Sequence, residues 1–447
     1  MVLAPPEQKK TVRGDLVTGA AALGFVLVAS AVGFLTGARN YGADLHPKAG
    51  PRFGEYPVLA DLYPRVAPAS LFAVMIAVAA VVWGPVLAER LRWRVLLGAG
   101  YALSVAWILA LALVDGWQRG VAHKLASGGE YLGVVGKVTD IPVFLSTFSS
   151  RILDFQPDSW PTHVAGHPPG ATLVFVWLDR IGLSGGGAAG VVCVLAGAAV
   201  TVAVPVTVAA LGRVDLARAA VPFVALMPGA IWLGVSADAM FAGVTACGIA
   251  LFAVGASRGG RLFAVAGGVV LGFGIFLSYG LLLMGPIALA VVLVTKNWRA
   301  LSYAVAGALA VVAVFALAGF WWLDGYQLVV ERYYQGVASH RPYWYWVWAN
   351  LACLVIAVGP AVVAGLRRTD FLTLGKPLSA LVRGAALAVL TATLTGLSKA
   401  EVERIWLPFA VWLVLAAVHL PPASRRWWLA AQAGVALVVD HVLLTTW

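Results

Sequence analysis

Charged side chains are scarce in this chain of 447 residues, of which only 11% are Asp, Glu, Lys or Arg. A soluble globular domain carries roughly a quarter charged residues. Cysteine is scarcer still: Cys193, Cys247 and Cys353 all lie inside apolar runs, so a disulfide framework is not expected. With 61% hydrophobic residues and a mean hydropathy of +0.89, the composition excludes a soluble protein and indicates a polytopic membrane protein.

Long polar segments are also rare. Apolar runs of about twenty residues, each long enough to cross the hydrocarbon core, recur along the chain and leave no room for a soluble domain. We therefore predict an all-α fold with about 13–14 transmembrane helices in a single integral membrane domain, residues 1–447. The predicted spans are 16–37, 67–87, 95–114, 168–183, 186–211, 219–235, 237–255, 262–278, 280–295, 301–321, 344–364, 379–397, 405–420 and 427–446.

The connectors between these runs predict which side of the membrane they occupy. Short connectors rich in Lys and Arg stay in the cytoplasm; here they are 89–94, 212–218, 257–261, 296–299, 365–368 and 423–426. The longer connectors are then on the outer face: 38–66, 115–167, 322–343 and 398–404. Lys9, Lys10 and Arg13 predict a cytoplasmic N-terminus and make the first run a signal anchor. The net charge of +11 thus reflects the Lys and Arg residues of the predicted cytoplasmic connectors and does not indicate nucleic-acid binding.

One connector conflicts with this alternation. If 168–183 and 186–211 each cross the membrane once, the basic connector 212–218 falls on the outer face. A re-entrant or broken helix restores the alternation, with Gly185–Gly187 and Pro205 as candidate breaks.

The loop 115–167 is the longest predicted polar segment. It begins at Asp115, which on its position alone is either a polar helix-end residue or a base that takes a proton from a sugar hydroxyl. Within the loop, Asp140 is suited to cap a helix, and apolar residues then recur at helical spacing through Phe155. This pattern predicts an amphipathic helix, lying either in the membrane interface or against the outer ends of the spans.

The motif HPPG at 167–170 holds His167 at the mouth of the next run, because its prolines favour an extended backbone and then a helix start. In this order the chain resembles the GT-C superfamily of polyprenol-phosphate-sugar-dependent glycosyltransferases. In that superfamily an acidic residue follows a membrane helix, a loop with juxtamembrane helices comes next, and an HPPLG-like or PPL motif opens the following helix. The segment 212–243, which ends near Asp238, and the segment 398–409 are also similar to superfamily patterns.

The resemblance implies a GT-C-like bundle over about residues 95–410 and an inverting transfer with an aspartate as general base. Asp115 takes that place, although it follows the third predicted helix and not the first, so that 1–94 forms an extra hairpin. The alternative is that the loop 40–65 supplies the base, through Asp44, Glu55 or Asp61. The predicted module 95–255 would then be followed by C-terminal helices over 256–447.

Several polar side chains on the predicted outer face are candidates for substrate binding. Arginine suits a phosphate and aromatic rings suit a sugar face or the membrane interface. The candidates are His163, His167, Asp238, Arg332, His340, Arg341, Lys399, Glu401 and Arg404. Glu401 and Glu403 are expected to hold Arg404, and a plain aromatic belt or a solvated turn explains part of the same pattern. His163 and His167 have a metal-like spacing, but the flanking prolines and missing carboxylate make metal binding the less favoured interpretation; no cofactor is implied.

The resemblance implies a transferase on the outer face of the cytoplasmic membrane. Its partners would be a polyprenyl-phosphate sugar donor, a cell-wall glycan or lipoglycan acceptor and membrane lipids, with no nucleic acid. The Ala, Val and Gly enrichment and the span pattern are similar to actinobacterial cell-wall transferases that decorate lipoarabinomannan-type glycans, methylthioxylosyltransferases among them; mannosyl or arabinofuranosyl transfer stays open. The alternatives are a secondary transporter or lipid-linked sugar flippase, disfavoured because we find no internal repeat, and a non-catalytic partner in cell-wall assembly.

Overall fold

The computed structural model describes residues 11–38, 57–58, 60–373 and 375–445. These residues fold almost entirely into helices, as predicted for an all-α membrane protein. The α-helices are α1 (Val12–Thr36), α2 (Pro68–Arg90), α3 (Trp93–Ala112), α4 (Leu132–Val135), α5 (Ile141–Thr147), α6 (Thr162–Gly166), α7 (Pro169–Arg180), α8 (Gly185–Ala198), α9 (Val200–Ala210), α10 (Val214–Ala225), α11 (Ala230–Leu233), α12 (Ala237–Arg258), α13 (Arg261–Leu277), α14 (Gly285–Thr295), α15 (Trp298–Leu317), α16 (Trp322–Gln335), α17 (Tyr343–Val358), α18 (Pro360–Leu366), α19 (Pro377–Thr395), α20 (Val402–Ile405), α21 (Leu407–Leu413) and α22 (Arg425–Val442).

Two strands interrupt the helical pattern, which the sequence did not predict. β1 (Ala60–Leu62) and β2 (Leu443–Thr445) pair antiparallel, with Asp61 opposite Leu444. The pair connects the segment before α2 to the segment after α22. A π-helix at Gln118–Ala122 and several short 3₁₀ turns complete the backbone, the longest of them at Tyr279–Met284 and Val414–His419.

Seven helical segments in the described part of the chain are long and apolar enough to cross a membrane, or up to nine if each of two bent pairs is one span. The seven are 12–36, 68–90, 93–115, 185–210, 237–258, 298–317 and 377–395. The bent pairs, 343–358 with 360–366 and 407–419 with 422–442, turn by 110° and 113°. Shorter apolar helices occupy 261–277 and 279–295. The chain is thus a polytopic α-helical membrane protein, whereas the count of 13–14 spans stays a prediction.

The basic connectors meet at one end of the bundle, which we call the basic end. Arg218 donates to the carbonyls of Glu89 and Leu91, which joins the connector before α10 to the one between α2 and α3. At the start of α1, the fully buried carboxylate of Asp15 pairs with Arg367 and Arg368 at 3.0 and 2.6 Å. We call the opposite end, where α12 begins, the loop end.

The helix α12 is the central helix of the bundle. It packs against α8, α9, α13 and α21, and most of its residues are buried. Small residues allow these close approaches: a Cβ atom on Gly243 would lie 1.8 Å from the carbonyl oxygen of Ala196 in α8. Similarly, a Cβ atom on Gly268 of α13 would lie 1.9 Å from the carbonyl oxygen of Ala304 in α15. Backbones this close hold the N-terminus of α12 in a fixed position among its neighbours.

The predicted span 168–183 is wrong, and this resolves the conflict over 212–218. The helix α7 has 12 residues, about 18 Å at 1.5 Å per residue, which is too short to cross. Gly170 and Trp177, seven positions apart on α7, contact Phe276 and Phe273, which are only three positions apart on α13. The helix α7 therefore lies across the end of α13. Both ends of α7 contact the loop 115–139, so α7 begins and ends at the loop end. The segment 185–210 then makes a single traverse to the basic end.

The predicted amphipathic helix over 140–155 is shorter than expected. Asp140 caps α5 as predicted, since its Oδ1 accepts a hydrogen bond of 2.9 Å from the Val143 amide. The helix ends at Thr147, and the buried ring of Phe148 packs edge-on against Phe320 at 5.6 Å. The apolar side of this segment therefore packs onto the ends of the helices, while Phe155 is 82% exposed.

Candidate functional site

A network of buried ion pairs lies at the loop end, where α12 and α20 begin. Nη1 of Arg404 lies 2.6 Å from Oδ2 of Asp238, and Nη2 of Arg404 lies 2.9 Å from Oε2 of Glu401. The other carboxylate oxygen of Glu401 accepts a hydrogen bond of 3.0 Å from Nη2 of Arg341. We call these four residues the arginine cluster. Asp238, Arg341 and Arg404 expose 4–6% of their surface, so the cluster is largely shielded from solvent.

Local backbone structure fixes Asp238 at its position. The hydroxyl of Ser236 caps α12 by accepting a hydrogen bond of 3.2 Å from the Ala239 amide. Asp238 lies in the first turn of that helix, where the positive end of the helix dipole favours an anion. The first turn of α12 thus presents a carboxylate to Arg404.

The segment that carries Glu401 and Arg404 is held in an unusual backbone conformation. Ala400 and Glu401 have φ values of 68° and 63°, the left-handed region that non-glycine residues rarely adopt. Asn350 of α17 supports this turn, since its side chain bonds both the Ser398 carbonyl, at 2.5 Å, and the Ala400 amide, at 3.1 Å. Such strain persists only where surrounding contacts enforce it, and it clusters at functional sites.

Lys399 and Arg341 connect the arginine cluster to α16 and to the turn that follows it. Nη1 of Arg341 donates to the Lys399 carbonyl at 2.5 Å, and the Lys399 amide donates to the Tyr333 hydroxyl at 2.8 Å. The Lys399 ammonium donates to the Ala338 carbonyl and lies 5.1 Å from the ring of Tyr334. Nε of Arg341 is buried and has no hydrogen-bond partner within the described ranges. A buried donor of this kind favours binding of an anion.

The two histidines predicted to bind substrate face the same region. Nδ1 of His163 lies 2.8 Å from Oε1 of Glu130, a buried carboxylate in the loop after α3. Nδ1 of His167 lies 2.9 Å from the Tyr131 hydroxyl and 2.8 Å from the His163 carbonyl. The His167 ring also packs 5.5 Å from Phe241 in the first turns of α12. The HPPG motif therefore places His167 between the loop 115–167 and the helix that carries Asp238.

The charges of this region shift one another's pKa values. Burial lowers the pKa of His167, which keeps its imidazole neutral. Burial opposes ionisation of Glu401, but Arg341 and Arg404 outweigh this effect and lower the pKa of its carboxyl below the ordinary value. Burial raises the pKa of Glu403 to about 7. The two arginines thus favour the ionised form of Glu401, whereas burial favours the protonated form of Glu403.

Asp115, the predicted base, lies in a different cluster at the same end. Its Oδ1 is 2.7 Å from Nε of Arg65, in the segment that leads into α2. Arg65 also donates to the Leu443 carbonyl in β2, and Lys124 and Asp440 lie close enough to interact electrostatically. Burial lowers the pKa of Lys124 to about 8. The structure therefore does not bring Asp115 to the arginine cluster, and its role as base stays a prediction.

The remaining predicted residues are distributed around this region. Arg332 pairs with Asp154 at 2.5 Å, which ties α16 to the end of the α5 segment. His340 lies just before Arg341 and contacts the Ser339 hydroxyl at 3.1 Å. Asp44 and Glu55, the alternative bases, lie outside the described residues. Asp61 is in β1.

Aromatic rings line the helix α16 beside the cluster. Trp322 stacks on Tyr326 at 5.5 Å, and both rings contact Tyr279. Near the other end of α16, the partly buried hydroxyl of Tyr333 accepts a hydrogen bond from the Lys399 amide. The helix therefore connects an aromatic face to the polar network.

Sequence reasoning missed Glu130 and Tyr131. Both lie in a Gly-broken segment with no helical or strand periodicity, so no pattern distinguished them from other loop residues. A backbone hydrogen bond of 2.9 Å from the His163 amide to the Gly129 carbonyl holds both residues beside α6. Tyr131 is fully buried between His167 and Phe175, and an aromatic residue beside an acidic one was the only available signal.

In the described part of the chain, no group of three or more His, Cys, Asp or Glu residues is arranged to hold a metal ion. Nδ1 of His163 and Nδ1 of His167 instead contact Glu130 and Tyr131. Comparisons with protein-family profiles, with characterised proteins and with solved structures each give no match to this chain.

Proposed function

We propose that the protein is a membrane glycosyltransferase that moves a sugar from a polyprenyl-phosphate donor to a hydroxyl of a cell-envelope glycan or lipoglycan. The observation that carries the proposal is the meeting of Arg341 and Arg404 with several carboxylates in a shielded site at one end of an apolar bundle. The resemblance to the GT-C superfamily led to the same residues from sequence.

The arginines suit the leaving group of this reaction. When the bond between the anomeric carbon and the phosphate oxygen breaks, negative charge develops on the phosphate. Arginine binds phosphate through paired N–H donors. Arg404 is held by Asp238 and Glu401, so its guanidinium is oriented before the donor arrives. The Nε of Arg341, which has no hydrogen-bond partner among the residues that the structure describes, offers a further donor.

The surroundings suit the other parts of the donor. The aromatic face of α16, with Trp322, Tyr326 and Tyr279, belongs to the same helix as Tyr333, which bonds Lys399, and fits a sugar or a prenyl chain. The position of the cluster at the end of the bundle supports a reaction at a membrane surface, which a lipid-linked donor needs.

The basic connectors carry the topology part of the proposal. Among the described residues, seven helical segments, or up to nine with the two bent pairs, are long and apolar enough to cross a membrane, and the full number of spans stays a prediction. The positive-inside rule puts the basic end in the cytoplasm, and the site on the outer face of the cytoplasmic membrane.

The test is a transfer assay in membranes from a host that expresses the protein. The donors are a panel of radiolabelled polyprenyl-phosphate hexoses and pentoses, and the acceptor is purified lipoglycan. We expect transfer from at least one donor, and a loss on the order of 10²-fold or more in Arg404→Gln, because a transition-state donor is removed. Arg213→Gln, in an exposed ion pair at the basic end, is the control and should keep full activity.

Two results contradict the proposal. One is the absence of transfer from every donor by the wild-type protein, with the protein shown to be folded. The other is full activity of Arg404→Gln. A transport function without transfer would then be examined by donor-lipid movement across vesicles.

A further inference from the structure

Glu130 and His163 form a carboxylate–imidazole pair that sequence analysis did not connect. Oε1 of Glu130 lies 2.8 Å from Nδ1 of His163. A hydrogen bond of 2.9 Å from the His163 amide to the Gly129 carbonyl holds the two segments together beside this pair. The contact between Tyr131 and His167 adds a third attachment. The relative position of the carboxylate and the imidazole is therefore fixed by both backbone and side chains.

The other carboxylates in this part of the structure are held by arginines or fully enclosed. Asp238 pairs with Arg404, and Glu401 pairs with both Arg341 and Arg404. An arginine stays protonated at any working pH, so it stabilises its partner carboxylate as an anion and weakens that carboxylate as a base. Glu403 has no exposed surface.

Glu130 differs from Asp238 and Glu401 in its partner, and from Glu403 in having some exposed surface. Its partner is the imidazole of His163, which contacts Oε1 and, unlike an arginine, does not carry a permanent positive charge. About 11% of its side chain is exposed, so an incoming hydroxyl has some access to it. Glu130 also lies within electrostatic range of Arg404, the proposed phosphate-binding arginine, and helps to raise the pKa of that guanidinium against the larger, opposite effect of burial.

From this geometry we infer that Glu130 is the general base of the transfer reaction and that His163 is its positioning residue. The inference rests on the proposed function. The acceptor O–H bond breaks and its proton goes to the carboxylate of Glu130. The acceptor oxygen forms the new bond to the anomeric carbon. The bond from that carbon to the phosphate oxygen breaks, and its electron pair leaves with the polyprenyl phosphate, which Arg404 and Arg341 bind.

The experiment compares Glu130→Gln, Glu130→Asp, His163→Ala and Asp115→Asn in the transfer assay described above, with purified protein and the donor that the wild type uses. We expect Glu130→Gln to lower kcat on the order of 10²–10⁴-fold while KM for the donor changes little, because general-base catalysis contributes that much. Glu130→Asp should recover part of the rate. Asp115→Asn should keep most of it.

The pH profile tests the role of His163. Loss of the imidazole N–H removes a hydrogen bond to the ionised carboxylate, so the acidic limb of kcat/KM should move to higher pH in His163→Ala. A merely structural role would lower the rate without moving that limb. Thermal unfolding in detergent checks that each variant is folded.

The outcomes separate the base assignment from the proposed function. Full activity of Glu130→Gln, with an inactive Asp115→Asn, overturns the assignment and gives the base to Asp115. An unmoved acidic limb in His163→Ala overturns the positioning role. If the wild-type protein transfers no sugar from any polyprenyl-phosphate donor, the proposed function fails and the assignment fails with it.

Discussion

Arg404 and Asp238 lie 166 positions apart in the chain, yet Nη1 of Arg404 contacts Oδ2 of Asp238 at 2.6 Å. The pair is almost fully buried, and it joins the first turn of α12 to α20. Two charges in such a place stabilise the protein only while both are present, since either one alone is left without its counter-charge.

The first prediction concerns this pair. Asp238→Asn and Arg404→Gln should each destabilise the protein, and the double variant should be destabilised by less than the sum. The coupling should be about 1–3 kcal/mol, the range for residues in one ion-pair network. Thermal unfolding of the detergent-solubilised variants measures it. The exposed pair of Arg151 and Asp158 serves as the comparison, with a coupling below about 1 kcal/mol. Additive effects at 238 and 404 would show that the pair is not a structural unit.

The second prediction concerns pH. The pKa of Glu403 is raised by burial from 4.5 to about 7, so the folded state binds its proton more tightly than the unfolded state does. The stability from this proton is fully present below the unfolded pKa and is lost as pH rises toward 7. Glu403→Gln should therefore resemble the wild type in unfolding temperature near pH 4.5 and exceed it at pH 8.

The opposite sign is expected at Glu401, which makes a matched comparison. Its pKa is lowered by Arg341 and Arg404 against the effect of burial, so its ionised form stabilises the fold at neutral pH and loses that effect as pH falls. Glu401→Gln should lower the unfolding temperature at pH 8. If both variants shift stability in the same direction at pH 8, the assigned charge states are wrong.

The third prediction concerns the basic end. Asp15 has no exposed side-chain surface and pairs with Arg367 and Arg368, whose side chains are 32% and 15% exposed. Breaking a fully buried pair costs about 3–5 kcal/mol. Because both arginines retain contact with solvent, Asp15→Asn should cost somewhat less, roughly 2–3 kcal/mol. Asp215→Asn, in an exposed pair with Arg213, should cost no more than about 1 kcal/mol. Equal losses of stability in Asp15→Asn and Asp215→Asn would contradict a stabilising role for the buried ion pairs of Asp15.

The fourth prediction concerns helix packing. Gly243→Ala places a methyl group 1.8 Å from the Ala196 carbonyl oxygen, so α8 and α12 must separate. Overpacking of this kind costs typically about 1–3 kcal/mol. Gly434→Ala is the control, since a Cβ atom there meets nothing within 4 Å, and a helical alanine should stabilise by about 0.5–1 kcal/mol. Melting temperatures that fall for the first and rise for the second would agree with the observed spacing.

The sequence predicted the helical class and most of the helix positions because apolar length is a direct physical requirement for a membrane span. The error at 168–183 came from the same criterion: the run is apolar, but it contains a short helix that lies across the end of α13. Composition alone does not distinguish a traverse from a helix of this kind. The bend after Val358 was likewise hidden within one predicted span, 344–364, whereas the bend near Leu420 lies beside the predicted connector 423–426.

The candidate site was predictable where polar residues stand at the ends of apolar runs. Asp238, Arg404 and His167 each occupy such a position, and the structure brings all three to one end of the bundle. The pairing itself was not predictable, because it depends on which helices are neighbours. Asp115 satisfied the same positional rule but pairs with Arg65, which follows from the path of the chain into α2.

The pairing of β1 with β2 has a consequence for handling the protein. Leu443 pairs with Leu62 in β1, and its carbonyl accepts a hydrogen bond from Arg65, the partner of Asp115. An affinity tag joined close after Thr445, or a truncation before Leu443, would disturb Arg65 and release Asp115 from its cation. Activity measured with C-terminally altered protein would then report an Asp115 environment different from the native one.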